Sequence, residues 1–440
     1  MEAEENLELS ITDIAHGGYG VARENGQVIF VGGAIPGEKV RAQIFERKRR
    51  FAKAVVQEVL EAAPERIENP WPAGGVAYTG AADFAHIALS MQRELKAQVV
   101  AAQLRKIGGE IITAQLADLP LVVEAVDSSD GWGSRSRIDL VKMPQGFGMY
   151  RAHSHELLPL KEMPLADVRI ESLDLWGRAW DKYVPVGAKV RAVASSGGDI
   201  RLAVGKKVYS APGKRAARIV REQVLLPGQP AQAQPQRVSV QAGQMQAHLQ
   251  LGQSDSQQQK NYRYALDAAG FWQVHREAPR TLIMAVQDFL GDISGVRGVD
   301  LYAGAGLFSQ PLADCIGPRG SLSTYEGSKE AVKAAQKNLA AFPWAKAQEV
   351  RIGARNIQKL TVQADFVLAD PPRAGLGVAV AQQLAKSGAE KIVLVSCDPA
   401  AMARDVAQLA AGGYRMAEIR IFDIFPHTHH VECVVLMERE

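Results

Sequence analysis

The sequence predicts a multidomain α/β protein with a small N-terminal β-barrel, a β-rich middle domain and a C-terminal domain built on a doubly wound parallel sheet. The chain has 440 residues, and at roughly 100–200 residues per domain this length implies more than one domain. Short alternating apolar segments that end at glycines fill residues 7–60, a pattern typical of strands. After residue 271, apolar strands alternate with alanine-rich helices, a pattern typical of parallel βαβ units. A composition of 47% hydrophobic and 22% charged residues excludes wholesale disorder.

The N-terminal domain is expected over residues 1–65. Five short strands separated by glycine and Pro-Gly turns predict a closed barrel, and an oligonucleotide-binding (OB) type of barrel is one possibility. A basic run in this domain can follow a phosphate backbone, although an exposed charged face is the alternative interpretation. The run contains Arg47, Lys48, Arg49, Arg50 and Lys53.

The middle domain is expected over residues 66–260. It begins with an irregular Pro/Gly-rich stretch, and helical spacing over residues 91–107 predicts a helix that ends at Gly108 and Gly109 and packs on the C-terminal domain. Alternating strand-like segments follow over residues 131–224, with a second cluster of basic residues between Lys189 and Arg221. Residues 229–259 contain twelve glutamines and few large apolar side chains, so a long loop is predicted there.

The C-terminal domain, residues 261–440, is expected to bind its ligands at the carboxyl ends of its parallel strands. The first such turn follows the strand that ends at Tyr302 and contains Gly304 and Gly306. A third glycine, which a dinucleotide-binding loop would place at position 309, is replaced by Ser309, and this favours a nucleoside ligand without a pyrophosphate. Glu326 ends the next strand, where an acidic residue typically binds ribose hydroxyls. Together these residues predict an S-adenosylmethionine site. The loop alone is a weak signal, and a plain packing turn is the alternative.

The second turn consists of Asp370, Pro371, Pro372 and Arg373. The two prolines fix the backbone and leave carbonyl groups free to accept hydrogen bonds from a substrate. The alternative is a rigid turn with a surface arginine.

The third turn carries Cys397, one of three cysteines, immediately before a predicted helix. The dipole at a helix N-terminus lowers the pKa of a thiol, so the sequence predicts a thiolate nucleophile at this position. The other two, Cys315 and Cys433, are interpreted as core residues. Three widely spaced cysteines form neither a disulfide framework nor a metal-binding CxxC motif.

A histidine-rich tract, PHTHHVE, precedes the last strand. No matching ligand group occurs elsewhere at metal-binding spacing, so no metal site is predicted. Glu432, at the end of the tract, is interpreted as a base that faces the same cleft.

Four co-linear stretches, DLYAGAGLFSQPLA, LADPPRAGL, LVSCDPAAMARDV and DIFPHTHHVE, resemble the S-adenosylmethionine-dependent RNA uracil-5 methyltransferases, as does GFWQVH before them. The N-terminal stretches DIAHGGYGVA and VGGAIPGEKV resemble the TRAM domain, an RNA-binding barrel that many members carry. The resemblance covers essentially the whole chain and implies a class I, Rossmann-like methyltransferase domain.

The resemblance also implies residue roles. Cys397 is expected to be the nucleophile and Glu432 the base. RNA contacts are expected from Arg373 and from the basic run of the barrel. The cofactor site is expected to be lined by Gln273, Tyr302, Gly304, Gly306, Glu326 and Asp370.

The sequence departs from the family pattern in three places. The positions of four cysteines that hold an iron–sulfur cluster in many members align with or near Trp71, Thr79, Ala82 and Met163, so no cluster is expected. Leu307 replaces the usual Asn of the cofactor loop, and Ala354 replaces an acidic residue expected near the adenine.

The expected function is methylation of carbon 5 of a uridine in ribosomal or transfer RNA. One alternative is an RNA-binding or RNA-folding protein on a catalytically degenerate methyltransferase scaffold, and another is a methyltransferase with a non-RNA target. The acidic, polar first residues and the lack of an apolar run of about 18 residues predict a cytoplasmic protein without a membrane span. A monomer is expected.

Overall fold

The computed structural model describes residues 6–119, 121–227 and 259–440. The glutamine-rich segment predicted over residues 229–259 lies outside this part of the chain, except for its last residue. No helix within the described ranges is long and apolar enough to cross a membrane.

The N-terminal domain is a six-stranded sheet in the order β1-β5-β6-β4-β3-β2. The segment that contains β1 and β2 pairs with β5 through its first half and with β3 through its second half, which closes the sheet into a barrel. Between these two strands, Ile11 and Thr12 donate backbone hydrogen bonds to Glu38 and Val21. The strands are β1 Asn6–Ser10, β2 Asp13–Ala15, β3 Tyr19–Glu24, β4 Gln27–Gly32, β5 Lys39–Arg47 and β6 Phe51–Glu61.

The middle domain is an antiparallel sheet in the order β10-β9-β8-β11-β12-β13-β14. One face of the sheet packs on a core that contains Trp71, Phe147 and Trp180. The strands are β8 Arg137–Lys142, β9 Phe147–Tyr150, β10 Leu157–Pro159, β11 Lys189–Ala194, β12 Ile200–Val204, β13 Lys207–Ala211 and β14 Lys214–Arg215.

The C-terminal domain contains an eight-stranded sheet in the order β19-β18-β17-β20-β21-β23-β22-β7. Its strands run parallel except β23, which is antiparallel to both of its neighbours, so the predicted doubly wound parallel sheet is confirmed. The strands are β7 Val123–Glu124, β17 Arg297–Leu301, β18 Ser321–Glu326, β19 Ala345–Glu349, β20 Phe366–Ala369, β21 Lys391–Ser396, β22 Tyr414–Phe422 and β23 Glu432–Arg439. The helices are α1 Leu89–Gln115, α2 Ala278–Leu290, α3 Ser309–Ile316, α4 Lys329–Asn338, α5 Ile357–Leu360, α6 Val378–Leu384 and α7 Pro399–Ala410.

A two-stranded hairpin, β15 Ile219–Leu226 and β16 Lys260–Asp267, also packs on this domain. Its buried face, which includes Val220 and Tyr264, shares a core with Leu282 and Phe289 of α2. The predicted boundary after residue 260 falls at the first residue of β16 and separates the two strands of this hairpin, and the boundary remains a prediction. The hairpin is assigned to the C-terminal domain because its apolar face is buried there. Strand periodicity predicts which face is buried, but it does not predict which domain covers that face.

The long helix α1 extends beyond its predicted range. Gly109 adopts φ 77° and ψ −173°, which breaks the helical geometry as expected, but the chain resumes a helix on the other side. Val100, Leu104 and Ile112 pack in a core with Met402 and other residues of the C-terminal domain. Since β7 also joins the C-terminal sheet, residues 89–124 belong structurally to that domain and not to the middle one.

A buried ion pair joins α1 to the segment before β23. The Lys96 ammonium lies 2.5 Å from Asp423 Oδ1 and donates to the Phe425 carbonyl at 3.1 Å. Arg93 Nε donates to the other Asp423 oxygen at 3.2 Å. Burial lowers the pKa of Lys96, and the Asp423 carboxylate opposes this effect. The side chains of Lys96 and Asp423 are 0% and 1% exposed, so each charge depends on the other for compensation.

We expect Lys96→Met to lower the free energy of unfolding by about 3 kcal/mol, because the substitution leaves a buried carboxylate with only a partial partner. Urea unfolding followed by tryptophan fluorescence measures the change. Arg415→Ala, which removes an exposed pair with Glu438, is the control and should cost less than about 1 kcal/mol. Equal effects of the two substitutions would contradict a structural role for the buried pair.

Candidate active site

The sheet register gathers the predicted functional turns at one edge. Leu301 at the end of β17 pairs with Tyr325 of β18 and with Ala369 of β20, and Ala369 pairs with Leu394 of β21. Because these strands are parallel, the residues after them meet at the carboxyl edge. Tyr302, Glu326, Asp370 and Cys397 therefore lie along the same side of the sheet.

The loop after β17 adopts left-handed backbone conformations at Tyr302, Gly304 and Gly306, with φ of 62°, 56° and 89°. The Glu326 carboxylate accepts the Gly304 N–H at 3.1 Å and the Ser328 N–H at 2.7 Å. A Cβ atom at Gly304 would meet no atom within 4 Å, so space for a ligand lies next to this glycine. Glu326 is thus held beside the loop, where its oxygens can accept hydrogen bonds from ribose hydroxyls.

Two acidic side chains lie beneath this loop. Asp300, the fourth residue of β17, is fully buried, and its Oδ2 accepts the Ser309 hydroxyl at 2.5 Å. Its Oδ1 has no hydrogen-bond partner among the described residues. Burial raises the pKa of Asp300 to about 7, and burial together with the charge of Asp300 raises the pKa of Asp370 to about 7. Asp300 was not among the predicted site residues, although an acid inside an apolar strand is a recognisable signal.

Cys397 and Glu432 lie opposite each other where β21 meets β23. Ser396 pairs with Cys433 in the antiparallel register, so the next residue on one strand faces the preceding residue on the other. Cys397 is half-buried and Glu432 is 4% exposed. The two predicted catalytic side chains are therefore brought together, although they are 35 positions apart in the sequence.

The expected lowering of the Cys397 pKa is wrong for the protein without ligands. Burial first, and then the negative charge of Glu432, raise the pKa of Cys397 to about 11, whereas Arg373 opposes them. Burial and Asp370 also raise the pKa of Glu432 well above its usual range, and Arg373 again opposes the shift. Desolvation and a neighbouring carboxylate thus outweigh the dipole of α7.

The positive charge of Arg373 lowers the pKa values of both Cys397 and Glu432. It is exposed, and its Nη2 atom lies 2.8 Å from Nε2 of His430. Burial, His429 and Arg373 lower the pKa of His430 to about 2, so this ring is neutral near pH 7.

The histidine tract has structural partners. His427 stacks on Trp132 with ring centroids 3.9 Å apart, and its backbone N–H donates to Gln92 Oε1. His429 Nδ1 lies 2.5 Å from Asp83 Oδ2. Residues 6–119, 121–227 and 259–440 contain no group of three or more His, Cys, Asp or Glu side chains that could hold a metal ion.

A cleft opens over the Cys397 side chain, and the N-terminal barrel contributes to its wall. His16 lies in the glycine-rich stretch DIAHGGYGVA, and no local signal in the sequence marks it as a site residue. The lining residues are His16, Val99, Arg373, Cys397, Asp398, Pro399, His429, His430 and Val431.

The basic run of the barrel does not line this cleft. Lys48, Arg49 and Arg50 are exposed in and next to the turn between β5 and β6. Lys48 pairs with Glu46 at 2.8 Å, and Arg47 donates to Gln27 at 2.5 Å. The predicted RNA contacts of this run remain a prediction.

Gln273 is buried and follows Trp272, which packs in a hydrophobic core behind the loop after β17. Trp272 packs against Tyr264 with ring centroids 4.9 Å apart, and the Tyr264 hydroxyl donates to the Leu307 carbonyl at 2.8 Å. The Leu307 side chain packs in the same core. The leucine that departs from the family pattern therefore fills the core behind the loop, and the cofactor contact of Gln273 remains a prediction.

The comparisons with known proteins agree with this geometry. A family model described as tRNA (Uracil-5-)-methyltransferase matches residues 230–440, and a TRAM domain model matches residues 5–56. An uncharacterized RNA methyltransferase of Streptomyces avermitilis is 34% identical over 99% of this chain and 98% of its own length. The 23S rRNA (uracil(1939)-C(5))-methyltransferase RlmD of Alkalilimnicola ehrlichii is 30% identical over 99% of this chain and 97% of its own length.

Among solved structures, the tRNA (uracil-54, C5)-methyltransferase of Pyrococcus abyssi in complex with S-adenosyl-L-homocysteine shares the fold. The match has a TM-score of 0.65 at 21% identity and covers 98% of this chain and 99% of that one. Relatives at 34% and 30% identity span nearly the whole chain, and family models match both of its ends. The chain therefore belongs to the family of S-adenosylmethionine-dependent RNA uracil-5 methyltransferases that carry an N-terminal TRAM domain.

Proposed function

We propose that this protein methylates carbon 5 of a uridine in RNA, with Cys397 as the nucleophile and Glu432 as the base. The observation that carries the proposal is the register of β21 and β23, which sets the Glu432 carboxyl group opposite the Cys397 thiol. The thiol in turn lines the cleft. Ribosomal RNA is the better-supported substrate class, because a relative of full length is named for 23S rRNA. Transfer RNA is the other candidate.

The residues present fit S-adenosylmethionine. The loop leaves room for a ligand next to Gly304, and the Glu326 carboxylate lies beside it as an acceptor. Asp300 and Asp370 provide two carboxyl groups at this site. A cationic ligand bound nearby would favour their charged forms. We assign Tyr302 and Gln273 to the same site. When bound, S-adenosylmethionine supplies a methyl group that carries electrophilic character from its sulfonium.

Cys397 supplies the reactivity that uracil lacks. Carbon 5 of uracil is a poor nucleophile, but addition of the Cys397 thiolate to carbon 6 forms an S–C bond and moves an electron pair towards carbon 5. The electron pair at carbon 5 would then form a bond to the methyl group, the methyl–sulfur bond would break, and S-adenosylhomocysteine would leave. Glu432 removes the proton from carbon 5, the S–C bond breaks, and the thiolate is restored with the 5-methyluridine. The target base must leave its stack to reach the cleft.

Both catalytic groups act as anions, and Arg373 favours the anionic form of each. Without ligands, the raised pKa values keep the Cys397 thiol protonated near pH 7 and favour the neutral Glu432 carboxyl group. A positive charge at the cleft lowers both values. We therefore assign Arg373 an electrostatic role in addition to any contact with RNA.

We further propose that the protein works without an iron–sulfur cluster. Trp71, Ala82 and Met163, at or near three of the aligned ligand positions, pack in one hydrophobic core. The hydroxyl of Thr79, at the fourth, donates to the Ala73 carbonyl at 2.7 Å. None of these side chains offers a thiolate, and apolar packing supports the segment in its place.

We expect Cys397→Ala to abolish both methylation and the covalent adduct with RNA that contains 5-fluorouridine, since fluorine at carbon 5 cannot leave as a proton. Glu432→Gln should lower turnover by roughly 10²–10⁴-fold and accumulate the adduct with ordinary RNA. Labelled S-adenosylmethionine, RNA that lacks 5-methyluridine and denaturing gels measure both effects.

Cys315→Ala is the matched control, because this thiol lies away from the cleft and accepts a hydrogen bond from Gln287. Its activity should equal that of the wild type. Wild-type activity in Cys397→Ala would refute the proposed nucleophile. Absence of product and of cofactor binding in the wild type would instead favour an RNA-binding protein on a degenerate scaffold.

We expect Arg373→Gln to shift the rise of kcat/KM with pH towards higher pH. The sign follows from the charges: Arg373 lowers the pKa of Cys397 and Glu432, both groups act as anions, and loss of the arginine raises both pKa values. Arg373→Lys, which retains the charge, should keep most of the wild-type profile. A uniform loss at every pH, without displacement, would show that Arg373 contacts RNA but does not tune these groups.

A further inference from the structure

We propose that His16, a residue of the N-terminal barrel, is a positioning residue of the catalytic centre that holds Asp398 and thereby the adjacent Cys397. The inference rests on the proposed function for the role of Cys397. It gives the barrel a part in catalysis that is separate from its affinity for RNA.

The turn that carries His16 is docked directly on the catalytic domain. A Cβ atom at Gly18 would lie 2.7 Å from His429 Cβ and 2.9 Å from Phe84 Cε1, so the glycine backbone is packed against both residues. On the far side of the turn, the Tyr19 hydroxyl lies 2.9 Å from Nε2 of His153 in the middle domain. These contacts do not involve the His16 side chain, and they should keep the barrel in place when it is removed.

Asp398 connects the barrel to the helix after the nucleophile. Its Oδ1 atom accepts the Ala401 N–H at 2.8 Å and caps α7, while its Oδ2 atom lies 3.3 Å from His16 Nε2. The contact with His16 and the backbone of α7 lower the pKa of Asp398 to about 2. The carboxylate is therefore charged at neutral pH. One of its oxygens contacts α7, and the other contacts the barrel.

Cys397 stands between two fixed points. Ser396 before it is the last residue of β21, and Asp398 after it is the cap of α7. The conformation of this single residue depends on how firmly Asp398 is held. A small displacement of a reacting atom can lower a rate by up to about 100-fold, so a lost contact at Asp398 should reduce the attack by Cys397.

The test compares His16→Ala, His16→Gln and the wild-type protein. Glutamine can place its Nε2 atom near that of histidine and donate to Asp398, so it should rescue a hydrogen-bonding role. His153→Ala is the control, because it removes a contact of the same turn without affecting Asp398. Thermal unfolding should confirm that each variant is folded.

The first measurement is independent of catalysis. Hydrogen–deuterium exchange of peptides that cover residues 396–402 should be faster in His16→Ala by roughly threefold, and unchanged in His16→Gln and His153→Ala. Exchange at the wild-type rate in His16→Ala would overturn the proposed link to Asp398, whether or not the protein methylates RNA.

The second measurement separates positioning from binding. At saturating RNA and cofactor, His16→Ala should form the adduct with 5-fluorouridine RNA at least about tenfold more slowly, with a Kd for RNA close to that of the wild type. His16→Gln should recover most of the rate. A loss confined to Kd would identify His16 as an RNA contact and overturn the proposal. If the wild type forms no adduct, the proposed function fails, and the exchange measurement alone decides the role of His16.

Discussion

The position of Glu432, the proposed base, depends on a buried ion pair between α1 and the segment that precedes β23. Lys96 on α1 binds Asp423 and the Phe425 carbonyl, and Gln92, one turn earlier, accepts the His427 N–H. These contacts fix the segment that leads into β23, whose first residue is Glu432. Burial of a lysine is unfavourable unless a carboxylate compensates it. The pair is therefore compensated only when α1 and the segment before β23 are packed together as in this structure. That packing sets where β23 and its first residue, Glu432, lie.

Strand β23 shows how the same chain supplies both a reactive group and a core. Alternate side chains of a strand point to opposite faces, and Cys433, next to Glu432, packs in the core on one face while Val434 packs in the core on the other. Burial raises the pKa of Cys433 well above its usual range. Two cysteines at the same junction thus differ in role because Cys397 borders the cleft and Cys433 does not.

The sheet and the juxtaposition of its turns could be predicted from the sequence, because continuous apolar strands and helix alternation are local patterns. The relation of Cys397 to Glu432 was predicted from their positions at the ends of neighbouring elements and from the family resemblance. The contacts of His16 with Asp398 and of Lys96 with Asp423 could not be predicted. The residues next to a histidine in a glycine-rich turn or to a lysine in a helix do not indicate which distant residue its side chain meets. The predicted lowering of the Cys397 pKa was wrong for the same reason. The helix N-terminus is close in sequence and could be predicted, whereas Glu432 is brought next to Cys397 only by the pairing of β21 with β23.

Direct contacts fix the barrel against the rest of the chain, so it is not a tethered domain. Buried Glu38 accepts hydrogen bonds from Arg66, which lies in the connection after the barrel, and the turn at Gly18 is packed against His429. A flexible linker would let the RNA-binding surface and the nucleophile vary in distance. Direct contacts remove that freedom. The conformational entropy of the barrel relative to the C-terminal domain is therefore lost when the protein folds and not when RNA binds. A bound RNA then meets a cleft whose walls are already set.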